Sequence, residues 1–256
     1  MIETVRPSPE ILSALWCLQA RAFESDWLLD LYARRWYAEL LAEHHFTLPA
    51  ICAKLSAHIL ARVISFDYAM LAFMAEYPSA PVLNLGCGFC SRLQRTNQRG
   101  QWWYQIDLPE VIGLRRAVHT IWPHEAHLEI DLAGPGLFEA LKTLSEELHA
   151  QPLIIAEGLL SHLERGKAER LLWMLRHRFG KAALIGTAMR SPQAALANDF
   201  FKKYNIREHW GVQDEDELAR IFGIQLQRTW SIAQLANKYG ANMIDPEAGF
   251  MFQALL

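Results

Sequence analysis

Two spacings of apolar residues divide this chain. From residue 8 to about 76 the apolar positions recur every three or four residues, the spacing of one helical face. Leu55, Ile59, Val63, Phe66, Met70 and Phe73 form the clearest stripe, and Ser8-Pro9-Glu10 has the layout of a helix start. The pattern predicts a helix from there, a second from about Trp27 to Glu43, and a third beginning near Pro49, with Pro78 and Pro81 closing the section. Short apolar runs then alternate with helical patterns. Strands are expected near 82–85, 102–107, 127–131, 152–157 and 181–188, with helices near 109–119, 136–149 and 166–178 between most of them. The stretch 192–222 holds two helical patterns where a plain alternation needs one, and two last strands follow near 224–230 and 248–256. The expected fold is α/β: a doubly wound, mostly parallel, seven-stranded sheet. The expected division is an N-terminal helical cap over 1–78 and a sheet domain over 79–256, with a helical insert at about 190–222.

The first strand ends in the most informative segment, PVLNLGCGFCSR, residues 81–92. Gly86 and Gly88 allow a sharp turn and a close approach of backbone to a ligand. Asp107 lies 21 residues after Gly86 at the end of the second strand pattern, the spacing at which a strand-helix-strand unit offers a carboxylate to a ribose. Asp131 ends HLEID and Glu157 ends LIIAE, so three acids line one edge of a parallel sheet. A pyrophosphate-binding turn wants a small third residue at the sixth position, where Ser91 stands. The combination favours a nucleoside ligand without phosphate, S-adenosylmethionine above others. The alternative is a tight turn in an ordinary α/β domain, with acids that cap the following helices.

Composition narrows the field. A net charge of −3 and a pI near 6.4 give no electrostatic footprint for nucleic acid. No apolar run reaches the roughly 18 residues of a membrane span, and MIETVRPSPE lacks the layout of a secretory signal, so no membrane role and a cytoplasmic location are expected. The four cysteines are too few for a disulfide scaffold in 256 residues. Cys87 and Cys90 have a metal-like spacing, but His44, His45, His119, His124 and His127 supply no matching pair, and no metal is expected.

At these residues the chain resembles the leucine carboxyl methyltransferase family, especially its bacterial polyketide O-methyltransferase branch. LARVISFDYAM (60–70), NLGCGFCSR, WYQIDLPEVI (103–112) and LIIAEGLLSHL (153–163) match four of its motifs in order. The resemblance implies a Rossmann-like class I methyltransferase fold with S-adenosyl-L-methionine as cofactor. It implies that Arg62 binds the cofactor carboxylate and that Gly86, with Gly88 in the same loop, lines the methionine part. Asp107, followed by Leu108, would hold the ribose, Asp131 with Leu132 the adenine, and Glu157 the region of the ammonium. Relatives carry Asp where Cys90 stands and often Tyr where His162 stands.

Three side chains are candidates for the chemistry: His162 as a general base, Glu157 at the strand end, and Tyr204 in the aromatic segment NDFFKKYNIREHW. Each has an alternative as a structural residue, and Phe200, Phe201, Trp210, Trp27, Tyr32 and Trp36 divide in the same way between pocket wall and core. Arg62 could instead pair with Asp67 or a sheet acid. The expected activity is O-methylation of a carboxylate or hydroxyl of a small, secondary metabolite. Two further readings stand beside it: cyclisation of S-adenosylmethionine to azetidine-2-carboxylate and methylthioadenosine, and a nucleoside-binding protein without catalysis. The acceptor and the oligomeric state are not legible.

Overall fold

The computed structural model describes residues 5–23, 28–238 and 249–256. Three helices come first. α1 (Pro9–Phe23) begins at Ser8, whose Oγ accepts from the Ile11 N–H at 3.3 Å. α2 (Leu31–His44) begins at Asp30, whose side chain accepts from the Ala33 N–H at 2.9 Å. That cap sets the start of α2 later than the apolar pattern suggests, and Trp27 lies outside the described residues. α3 (Ala53–Glu76) carries two packing surfaces along its length. Ile59, Leu60 and Val63 pack with Ala20 of α1, while Phe66, Met70 and Met74 lie on one face of the sheet. α3 is long and apolar enough to cross a membrane by length and composition alone, and 61% of its apolar window is buried inside the protein.

The sheet strands are β1 (Val82–Leu85), β2 (Trp103–Asp107), β3 (Glu125–Glu129), β4 (Leu153–Ala156), β5 (Ala183–Met189), β6 (Gln225–Ser231) and β7 (Gly249–Leu255). Their order is β3-β2-β1-β4-β5-β7-β6, with β7 antiparallel to both its neighbours. The connecting helices are α4 (Arg92–Arg95), α5 (Pro109–Val118), α6 (Leu137–Glu147), α7 (Arg165–Phe179), α8 (Ser191–Phe201), α9 (Glu215–Phe222) and α10 (Ile232–Lys238). Short 3-10 turns at Leu160–His162 and Lys202–Tyr204 interrupt the connections after β4 and β5.

Alternation along the strands sorts the core into two layers. Val82, Trp103, Leu153, Ile155 and Ile185 face α3, while Leu83, Leu85, Ile106, Ile154 and Leu184 face α6, α7 and α9. Successive strands are added outward from β1 to β3 on one side and from β4 on the other, so the winding order switches between the parallel strands β1 and β4 and a crevice opens at their carboxyl ends. One strand differs from the apolar pattern. β3 spans Glu125–Glu129 rather than 127–131, because its register pairs Trp103 with Glu125 and Asp107 with Glu129. Asp131 therefore sits in the turn beyond the strand.

Gly186 on β5 faces Phe252 on β7, and a Cβ there would come within 2.5 Å of the buried ring. Gly186→Ala is expected to cost about 1–3 kcal/mol by overpacking, read as a lower urea midpoint with an unchanged slope.

Candidate functional site

A cavity of about 700 Å³ opens at the carboxyl ends of the strands. Loops after β1 to β4 form its floor, α1 and α3 roof it, and the segment after α8 closes one side. Arg62, Gly86, Gly88, Asp107, Leu108, Asp131, Leu132, Glu157 and His162 all line it. Sequence positions from five separate segments thus meet around one space.

Charge organises the roof. Glu157 follows β4, and its two oxygens accept from Arg62 Nε at 3.0 Å and Arg92 Nη2 at 2.6 Å. Arg92 also pairs with Asp67 at 2.7 Å, Asp67 with Arg95 at 2.7 Å, Arg95 with Asp30 at 3.6 Å, and Asp30 with Arg21 at 2.8 Å. The result is one alternating chain with arginine at both ends: four guanidiniums and three carboxylates. Burial works to raise the Glu157 carboxyl, but Arg92 and Arg62 outweigh it and hold its pKa at about 2. Glu157 is therefore a fixed counter-ion and a poor proton acceptor at neutral pH. Arg62 does not meet Asp67, since five residues on α3 separate them by more than a third of a turn. Gly158, at φ +63°, gives the Arg62 guanidinium room; a Cβ there would lie 3.2 Å from it.

Cys90 stands where the resemblance expects Asp. A carboxylate at 90 would match the count of the four arginines; with Cys90 there, four guanidiniums face three carboxylates and a thiol. Burial pushes the Cys90 thiol up, but Arg92, Arg95 and Arg21 pull it below its usual value. Cys17, whose Sγ is 3.5 Å from Arg62 Nη2, is raised, mainly by burial.

The glycine turn is built as its sequence suggests. Gly86 and Gly88 have φ of +60° and +49°, and a Cβ on Gly86 would press on Leu159 at 3.0 Å. The turn then presents the Gly88 N–H to Asp107 Oδ2 at 2.7 Å, while Oδ1 accepts from the Leu108 N–H at 2.8 Å. Burial raises the Asp107 pKa against those two donors. Each oxygen keeps acceptor capacity for a diol. Asp131 is exposed at the rim, with Oδ1 accepting from the Ala133 N–H at 2.8 Å, and Leu132 beside it is buried.

Beneath the turn lies a second polar network that sequence spacing did not reveal. Arg115 of α5, fully buried, donates from Nη1 to the Gly88 carbonyl at 3.2 Å. Its Nη2 meets Glu125 Oε1 at 3.4 Å, and Glu125 contacts His119 at 2.7 Å and His127 at 3.2 Å. Gln105 donates to Glu125 at 3.3 Å, and Asn84 donates to Gln105 at 2.8 Å. His119, Glu125 and His127 have the donor types of a metal site, but the cation among them is Arg115. Burial works to raise the Glu125 carboxyl, and the two histidines and Arg115 hold it lower than usual; both histidines are themselves lowered, chiefly by burial. The network fixes the carbonyl of the residue whose N–H orients Asp107.

The catalytic candidates separate. His162 faces the cavity, with Nδ1 3.0 Å from the Arg207 carbonyl. Tyr204 does not line it. The 3-10 turn at Lys202–Tyr204 swings the ring onto Trp16, edge-on at 4.9 Å, in a small cluster that joins the insert to α1. Trp210 is also core: its Nε1 donates to the Leu163 carbonyl at 3.0 Å and its ring meets Phe222 at 5.1 Å. Tyr32 and Trp36 pack in the cluster between α1 and α2. Phe200 is partly exposed, and Phe201 is the aromatic of the insert that reaches the cavity.

Comparison with known proteins bears on the family and the fold. The family model described as leucine carboxyl methyltransferase matches residues 16–176. The tetracenomycin polyketide synthesis O-methyltransferase TcmP of Streptomyces glaucescens is 26% identical over 238 residues, covering 91% of this chain and 86% of that protein. Among solved structures, a DUF574 family protein from Streptomyces avermitilis superposes with a TM-score of 0.64 at 13% identity, over 95% of this chain and 96% of that one. Magnesium protoporphyrin IX methyltransferase (ChlM) from Synechocystis, with bound S-adenosylhomocysteine, gives a TM-score of 0.53 at 14% identity, over 87% of this chain and 93% of that one.

Because the folded Glu157 pKa lies below its ordinary value of 4.5, its contribution to stability is complete above about pH 4.5 and is lost as pH falls toward 2. Glu157→Gln strands Arg62 and Arg92 on their shared partner and is expected to cost about 3–5 kcal/mol at neutral pH. Denaturation across pH 7 to 3 should show the gap between wild type and variant narrowing at the acid end.

Proposed function

The chain belongs to the leucine carboxyl methyltransferase family, and from that premise we propose that it methylates a carboxylate or hydroxyl oxygen of a small, secondary metabolite. It is an S-adenosylmethionine-dependent methyltransferase. The observation that carries the reading is the alternating charge chain that ends on Arg62 with one cation in excess, beside an acid-tipped strand and a glycine turn. An amino-acid carboxylate supplies the missing anion, and a ribose diol suits Asp107.

The residues fit the cofactor on several independent grounds. Arg62 would hold its carboxylate through the guanidinium edge that Glu157 leaves free. Asp107 would take the ribose hydroxyls, and Leu108 and Leu132 would flank the adenine near Asp131. Cβ atoms at 86 and 88 would press on Leu159 and Ala14, which line the same cavity, so the glycines keep the turn close to its walls. The bound cofactor supplies a methyl group made electrophilic by its positively charged sulfur. The protein's part is alignment and exclusion of water. α1 and α3 cover the cavity, and Phe201 and Ile206 close it from the insert. The small-metabolite substrate class draws on the likeness to TcmP.

One observation favours a second reading. The cation excess near the methionine end lowers the cost of a neutral amine, which cyclisation to azetidine-2-carboxylate requires. Against it, Glu157 is held as a counter-ion and Tyr204 faces Trp16, so neither stands ready to take the amine proton.

Calorimetry is expected to show binding of S-adenosylhomocysteine. Asp107→Ala removes charge-assisted hydrogen bonds of roughly 1.5–3 kcal/mol each, and should weaken that binding at least tenfold, a larger effect than the stability lost from the Gly88 and Leu108 N–H groups it strands. Mass spectrometry of enzyme with S-adenosylmethionine alone is expected to show no turnover above background. Catalytic accumulation of methylthioadenosine, abolished by Arg62→Ala, would instead establish the cyclase.

A further inference from the structure

We propose that Glu208, facing His162, forms the acceptor subsite, and that this pair selects a hydroxyl over a carboxylate. The proposal rests on the methyl-transfer reading and narrows its substrate class. Glu208 follows the 3-10 turn after α8, within the helical insert, and His162 ends the 3-10 turn after β4, so the pair lies beyond Glu157 on the insert side of the cavity. The Glu208 backbone is clamped to α8: its N–H donates to Asn198 Oδ1 at 2.8 Å, and Asn198 Nδ2 donates to its carbonyl at 2.8 Å.

The side chain is 5% exposed. Its Oε2 has no partner among the described residues. Buried carboxylate oxygens are normally satisfied, so an unpaired one on a residue that lines a ligand cavity marks a place where a donor is missing. Oε1 adds a second mark. It lies 3.6 Å from His162 Nε2, too far for a hydrogen bond. His162 Nδ1 faces the Arg207 carbonyl, which can only accept, so Nδ1 carries a proton there. In the neutral ring Nε2 is then an acceptor, and two acceptors face each other across the gap.

A hydroxyl resolves this arrangement, because it donates to one acceptor and turns its lone pairs away. A carboxylate brings a third acceptor and a second negative charge beside a buried one. The cations on the same wall, Lys167 and Arg207, are solvent-exposed and therefore screened. The rule that follows is simple: a phenol or alcohol enters, and its carboxylate analogue is repelled.

A matched pair of probes tests this without knowledge of the natural acceptor. Met189 lines the same cavity, so its [13C]methyl resonance, assigned with Met189→Leu, reports occupancy. With S-adenosylhomocysteine at saturation, 2-naphthol should shift that resonance at about tenfold lower concentration than 2-naphthoate. In Glu208→Gln the preference should collapse to within about threefold, by weaker naphthol and stronger naphthoate binding. Affinity for S-adenosylhomocysteine should stay within about twofold of wild type. His162→Phe, at the half-exposed partner, should also weaken 2-naphthol, which covers the case of a Glu208 variant that does not fold. No response to 2-naphthol, or the same preference with and without Glu208, overturns the subsite. Loss of S-adenosylhomocysteine binding in the wild type overturns the cofactor reading instead, and the naphthol titration repeated without it still reads the subsite.

Discussion

The structure depends on how seven charges, all buried or mostly buried, are seated between the helical cap and the edge of the sheet. Arg21, Asp30, Arg95, Asp67, Arg92, Glu157 and Arg62 alternate in sign along a chain of ion pairs. They come from α1, the start of α2, α3, α4 and the end of β4. Buried charges are tolerated only when partnered, so each link fixes the position of the elements that carry it. The cap is therefore held over the sheet by electrostatics as well as by the apolar contacts of α3. Specific placement, rather than net stability, is what such a chain provides. It also ends on Arg62, a cation that lines the cavity and to which the proposed function gives the cofactor carboxylate.

The glycine turn sits between that chain above and the Glu125 network below. Ser91 joins the first: Arg21 and Arg95 donate to its hydroxyl, which also bonds Asp30. Arg115 joins the second through the Gly88 carbonyl. A loop of two left-handed glycines would otherwise be among the most mobile parts of the fold. Here it is gripped from both sides, and Asp107 inherits the result through the Gly88 N–H. Cys90 lies within the grip, and its thiol is acidified by the same arginines that hold the turn.

Local features were legible in the sequence, and long-range pairings were not. Gly86, Gly88 and Asp107 could be read because a strand, a tight turn and a following strand fix them within some twenty residues of one another. Arg62 and Glu157 were legible as residue types, and their mutual ion pair was one of the alternatives left open. Arg92, Asp67 and Arg95 were not, because their partners lie on elements whose packing no local pattern encodes. Asp131 was read as a strand end, since HLEID alternates plausibly; β2 pairing ends the strand at Glu129 instead. Tyr204 and Trp210 failed as cavity residues because an aromatic at helical spacing packs equally well into core, and the 3-10 turn decides its direction. Glu208 carried no signal in sequence: it is one acid in a polar stretch, and burial alone distinguishes it.

The central claim is that the charge chain ends on a cation awaiting a carboxylate. The direct measurement is the affinity for S-adenosylhomocysteine compared with its decarboxylated analogue, in wild type and in Arg62→Ala. The account predicts that losing the carboxylate weakens binding by about a hundredfold in wild type and by less than about threefold in the variant. Equal affinity for the two ligands in wild type, or the same ratio in both proteins, would contradict it.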